Sequence, residues 1–199
     1  RGLGMCIRDR LKDVNIWYAH MKSWVLLATR AIRSNGYHDS GWPTFEYHVS
    51  NMIKPSNLVY DLPTALEAID SLKGDQREVY WLQESCRKKG RKLTMAPHTF
   101  SKVVETKIFT NGSDIKFVQG KYADTYSAVV SPAVEFTLHD LTMVTDDEWA
   151  EFLQFTIPNC RSLTKLDLSM NPGINSTLKP FSELLLLNSL ELSCDIGLF

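Results

Sequence analysis

Nine consecutive residues, Leu163-Thr164-Lys165-Leu166-Asp167-Leu168-Ser169-Met170-Asn171, constrain this chain more than any other stretch, because they fit L-x-x-L-x-L-x-x-N at every fixed position. In such a segment Leu163, Leu166 and Leu168 point into a stacked core, and the Asn171 amide can bond the backbone of neighbouring turns. Lys165, Asp167 and Ser169 are left facing the open side. The register recurs at Leu187-Asn188-Ser189-Leu190-Glu191-Leu192, with 190 − 166 = 24. A weaker copy, Ala133-Val134-Glu135-Phe136-Thr137-Leu138, precedes it, with 166 − 136 = 30. One such unit cannot bury its apolar face alone, so the copies have to stack on one another.

Over residues 131–199 this pattern resembles the leucine-rich-repeat family. The resemblance implies a short solenoid with strands on a concave face and helices behind. Asp146 is then expected to cap a helix with Trp149, Phe152 and Leu153 inward, and Leu178, Phe181 and Leu184 play the same part in the next repeat. Stacking the copies gives three columns on the concave face: Glu135–Lys165–Ser189, Thr137–Asp167–Glu191 and His139–Ser169–Ser193. Mixed charge there suits a protein or peptide partner, since nucleic acid would want a basic stripe. The tail, Ser193 to Phe199, carries two terminal apolar residues and no polar cap, so a truncation within the array is expected.

At the other end, Met5-Cys6-Ile7-Arg8-Asp9 is what the codons ATG TGT ATA AGA GAC encode, the end sequence of a transposase used to tag DNA for sequencing. Residues 1–10 are therefore expected to be a sequencing-adapter artefact.

Composition narrows the classes. The 199 residues are 44% hydrophobic, and a net charge of −1 supplies no long-range pull toward nucleic acid or membrane. Cys6, Cys86, Cys160 and Cys194 are scattered without a C-x-x-C, which argues against a disulfide framework or zinc and favours a cytoplasmic location. His20, His38, His48, His98 and His139 show no metal-ligand spacing, so no metal or resident cofactor is expected.

Residues 11–22 read as a helix with Leu11, Val14, Tyr18 and Met21 on its apolar face. Trp24-Val25-Leu26-Leu27-Ala28-Thr29 reads as a strand buried on both faces, as in a parallel sheet. A polar loop follows, then a helix starting near Pro43 with Phe45, Val49, Met52 and Ile53 inward. Residues 11–55 are thus part of an α/β layered unit. Residues 56–130 read as a helical connector with helices starting at Leu62, at Glu78 (closed by Gly90), at Pro97 and after Asn111-Gly112-Ser113-Asp114. The basic run Arg87-Lys88-Lys89-Gly90-Arg91-Lys92 is expected to be a solvated turn.

One constellation points to chemistry: Tyr37-His38-Asp39-Ser40-Gly41-Trp42-Pro43-Thr44-Phe45-Glu46. A tryptophan with a glutamate four residues on, after a buried strand and a polar loop, resembles TIR-type domains. That resemblance implies a flavodoxin-like α/β fold. In members that cleave NAD, a loop ending Tyr-x-x-Ser-x-Trp-Cys-x-x-Glu supplies the catalytic glutamate. Trp42 and Glu46 match by spacing and Ser40 by kind, whereas Pro43 stands where the cysteine is usual. Residues i and i+4 share a helix face, so Trp42 would form a pocket wall beside a catalytic Glu46, with NAD as substrate. The competing reading makes Trp42 a core anchor and Glu46 a first-turn carboxylate favoured by the helix dipole.

The expectation is an α/β fold class: a partial flavodoxin/TIR-like unit, a helical connector and a short leucine-rich-repeat solenoid. Such a chain is an interaction or signalling module, a fragment of a larger protein, rather than an enzyme. NAD cleavage by Glu46 is the alternative.

Overall fold

The computed structural model of the chain describes residues 14–30, 36–71, 91–141, 144–171 and 189–191. Residues 1–10, Leu11, the expected helix from Glu78 to Cys86, Leu178, Phe181, Leu184, Ser193, Cys6 and Cys194 lie outside the described residues.

Helix α1 is Val14–Ala19, and its packing differs from the expected face. Asn15 and Ala19 point inward while Val14 is exposed. The Asn15 amide donates to the Thr125 hydroxyl on a later helix, and Ala19 is small enough to let that helix approach closely.

Strand β1, Val25–Leu27, pairs in parallel with β2, Val59–Asp61, with Val25 opposite Val59 and Leu27 opposite Asp61. Burial of β1 on both faces does not hold: Val25 and Leu27 are buried, but Leu26 is 61% exposed. The reason is that this sheet has two strands and its apolar cluster, with Tyr47 in it, covers one face. Strand β2 also falls in the stretch expected to be a helical connector, so the pairing runs across the expected boundary at residue 55.

Helix α2, Gly41–Ser50, has Pro43 in its first turn and buries Phe45 and Val49, with Met52 just beyond. Its start is fixed by backbone: Gly41 N donates to Ile108 O at 2.9 Å, and Ile108 N to Asp39 O at 2.8 Å. A Cβ on Gly41 would overlap the Phe109 ring, so this close approach requires glycine. Helix α3, Leu62–Ser71, follows β2, and Asp61 accepts from Thr64 N at 3.1 Å. Helices α4, Pro97–Glu105, and α5, Asp114–Val129, pack together through stacked Phe100 and Tyr122 rings 3.8 Å apart. Val118, Tyr122 and Tyr126, spaced by four, form the inward stripe of α5, while Phe117 is exposed.

Helix α6, Asp146–Glu151, is capped by Thr145 rather than Asp146. Thr145 Oγ1 accepts from Glu148 N at 3.3 Å and Glu148 Oε2 accepts from Thr145 N at 2.8 Å. This reciprocal pair satisfies two end amides that one aspartate could not. A π turn over Phe152–Thr156 continues the helix, and Trp149, Phe152 and Leu153 are buried.

Three short strands form a parallel sheet: β3, Glu135–Thr137, β4, Lys165–Asp167, and β5, Ser189–Glu191. Phe136 lies opposite Leu166, and Leu166 opposite Leu190. The chain after β3 and after β4 repeats one conformation, since Asp140 and Met170 both take a left-handed backbone with φ of 54° and 57°. Asn171 is buried and spans the two copies: Oδ1 accepts from Leu141 N at 2.7 Å, and Nδ2 donates to Leu138 O at 2.6 Å and Leu168 O at 2.9 Å.

The architecture is mixed helix with two small parallel sheets, compatible with an α/β class. A single apolar cluster runs from Ala19 through Phe45, Phe100, Tyr122 and Phe136 to Leu168. Residues assigned to three successive units therefore share one core. Full burial of a leucine or phenylalanine is worth about 1.5–3 kcal/mol, so this shared cluster holds the segments together.

Candidate functional site

Three regions hold the candidate residues. The first is the outer face of β3–β5. Glu135 pairs with Lys165 and Lys165 with Ser189, while Thr137 pairs with Asp167 and Asp167 with Glu191. Glu135, Thr137, His139, Lys165 and Asp167 are half-exposed. Lys165 Nζ lies 3.0 Å from Glu135 Oε1, so opposite charges sit directly across the strands. Both side chains are well solvated, and such a pair orders the face more than it stabilises the fold. Ser169 departs from expectation: it is 7% exposed, with its hydroxyl 2.7 Å from His139 Nδ1. The chain bends into its left-handed residue here, which draws the serine inward.

The second region lies beyond the carboxyl ends of β1 and β2, where open α/β sheets bind ligands. Asp61 ends β2, and its carboxylate accepts from the Thr29 hydroxyl just past β1. The Tyr37–Asp39 turn and α2 bring in Tyr37, His38 and Glu46. Burial raises the Glu46 carboxyl above its usual pKa. Tyr37 is pushed up to about 12, first by burial and next by the Glu46 charge, with smaller contributions from Tyr18 and Asp61. The Tyr18 hydroxyl is also raised, by burial and then by Glu46. Glu46 thus faces two phenols. Trp42 is committed elsewhere: its Nε1 donates to Asp114 Oδ2 at 3.1 Å, and its ring lies 6.0 Å from both Phe45 and Phe117. The anchor reading of Trp42 describes these contacts.

The third region is one that linear reading missed. A cavity of about 350 Å³ opens between α2, residues 92–95 and α6, lined by His38, Tyr47, His48, Lys92, Glu148 and Glu151 among others. Lys92 Nζ reaches Glu148 Oε1 at 3.1 Å across one end. Burial works to raise the Glu148 carboxyl, but hydrogen bonds from the Thr145 backbone and from Lys92 bring it below its usual pKa. Glu151 Oε1 accepts from Ala96 N at 3.1 Å. Burial takes the His48 imidazole down to about 4, and it lowers His38 as well, so both rings are neutral at pH 7.

No family model, curated protein or solved structure matches the chain.

Behind the cavity the basic run takes an unexpected course. Arg91 is 2% exposed rather than solvated. Its Nε donates to Lys54 O at 2.9 Å and Nη1 to Asn51 Oδ1 at 3.3 Å, while Nη2 makes no hydrogen bond. Lys54 is buried too, and Nζ donates to the His20 carbonyl and to Ser23 O at 2.7 Å. Burial lowers Arg91 to about 9 and Lys54 to about 8, the latter helped by Arg91. Among the described residues, no carboxylate contacts either cation. No group of three or more His, Cys, Asp and Glu side chains is placed to hold a metal, and no helix is long and apolar enough to cross a membrane, among the described residues.

Proposed function

We propose that this chain is a protein-interaction module whose residues 131–199 form leucine-rich repeats and present the outer strand columns to a peptide. The in-register parallel stacking of β3, β4 and β5, apolar residues in one column and polar residues in the flanking ones, carries this reading. The repeated left-handed residue and the Asn171 bridge add to it. Glu135 lies against Lys165, while the Thr137–Asp167–Glu191 column holds two acids. A basic or polar peptide therefore fits this face better than an acidic one. A cytoplasmic setting suits the buried free thiol of Cys160.

The test is a peptide selection on the whole chain, followed by titration of the selected peptide against Asp167→Lys and Lys165→Glu. Affinity should fall by about tenfold or more, equivalent to about 1.4 kcal/mol. A Trp24→Ala control on the other sheet should leave binding unchanged. Selected peptides that ignore both strand substitutions would refute the reading.

A second reading, a TIR-like NAD glycohydrolase with Glu46 as its carboxylate, is supported by one observation. A half-buried glutamate stands beside Tyr18 and Tyr37 near the carboxyl ends of two parallel strands. Nicotinamide release from NAD, abolished by Glu46→Gln, would establish it; no release, or equal release from both proteins, removes it.

A further inference from the structure

We propose that the cavity between α2, residues 92–95 and α6 is a binding site for a small zwitterion, a free α-amino acid with an apolar side chain. The argument starts from how charge is distributed around it. Glu148 and Glu151 sit three apart on α6 and form an acidic wall, while Arg91 and Lys92 supply positive charge from the opposite segment. Lys92 and Glu148 join at 3.1 Å and cancel.

That leaves one group of each sign without an ionic partner. Glu151 receives a single backbone N–H, and no cation pairs with it among the described residues. Arg91 lies just behind the lining, fully buried, with Nη2 bonded to nothing. An uncompensated buried guanidinium is costly, and the cost falls when a negative charge comes near. Tyr47 lies on the cavity wall between these poles, since Arg91 and Glu148 both act on its hydroxyl.

A lone anion would meet Glu151, and a lone cation would sit in the field of Arg91. A zwitterion answers both, with its ammonium at Glu151 and its carboxylate toward Tyr47 and Arg91. The neutral His48 ring adds no charge to upset this balance. Leu93 and Met95 offer an apolar surface for the side chain. A volume of about 350 Å³ lies at the small end of ligand pockets, which suits a molecule of amino-acid size.

The experiment titrates the whole chain with L-leucine and with two analogues, each lacking one charge. Isoamylamine is leucine without the carboxylate, and 4-methylpentanoate is leucine without the ammonium. L-Leucine should bind with a Kd of about 1 mM or tighter, and each analogue about tenfold or more weakly than that. Glu151→Gln keeps an acceptor for Ala96 N–H, so the fold should persist while leucine affinity drops about tenfold and 4-methylpentanoate affinity does not drop. Circular dichroism checks that the variant is folded. Failure of L-leucine to bind overturns the proposal. So does equal binding of isoamylamine, which would mark a cation site at Glu151, or of 4-methylpentanoate, which would mark an anion site at Arg91.

Discussion

Replacing Asn171 with alanine tests how the two copies of the strand unit are tied. The side chain is 5% exposed and makes three hydrogen bonds, one accepted from Leu141 N and two donated to Leu138 O and Leu168 O. Alanine removes all three and leaves one N–H and two carbonyls buried without partners. An orphaned buried group costs about 1–3 kcal/mol, and carbonyls relax more readily than N–H groups, so a total near 3 kcal/mol is expected. In a domain of this size that is a melting shift of roughly 6–12 °C. Urea unfolding monitored by circular dichroism gives the free energy, and hydrogen exchange gives the location. The Leu141 amide should lose most of its protection, because its acceptor is gone. Asn159→Ala, on the exposed surface, serves as the control. A loss below about 1 kcal/mol, or a Leu141 amide that stays protected, would refute the account of Asn171 as the tie between copies.

Other outcomes follow from single contacts. Gly41→Ala drives a methyl group into the Phe109 ring, and the loss should be about 1–3 kcal/mol in urea unfolding, with recovery in the double variant Gly41→Ala/Phe109→Ala. His48 is held near pKa 4 when folded, below its unfolded value of about 6.5, so its contribution is intact above pH 6.5 and is lost as pH falls toward 4. Unfolding free energy measured across that window should decline less steeply for His48→Phe, and an NMR titration that places His48 above pH 6 would contradict it. Trp42→Phe deletes the bond to Asp114, which should cost about 1 kcal/mol, and an unchanged melting temperature would count against its anchoring role.

Legibility in the sequence followed how local each signal was. Leu163, Leu166, Leu168 and Asn171 could be placed because one nine-residue stretch carries both the inward spacing and the bridging amide. Pro43, Pro63 and Pro97 marked helix starts for an equally local reason, a fixed φ in a first turn. Strand β2 escaped notice because Val59-Tyr60-Asp61 is three residues long, too short to show a period. It becomes a strand by pairing with β1, more than thirty positions earlier. Asn15, Lys54 and Arg91 are polar types at buried places, and their partners, Thr125, Ser23 and Asn51, are far away in the chain. The cavity is the extreme case. His48, Lys92 and Glu148 come from three separate segments, so no window along the chain holds two of them.

The 30-residue interval that separates Leu141 from Asn171 also separates the two left-handed residues, Asp140 and Met170. A segment that is entered and left in the same conformation behaves as an exchangeable cassette. Splicing in another copy would move the following strand outward by one sheet spacing, about 4.8 Å, without reshaping what lies on either side. Evolution can therefore lengthen or shorten such a surface in whole steps, adjusting reach without having to redesign the interior.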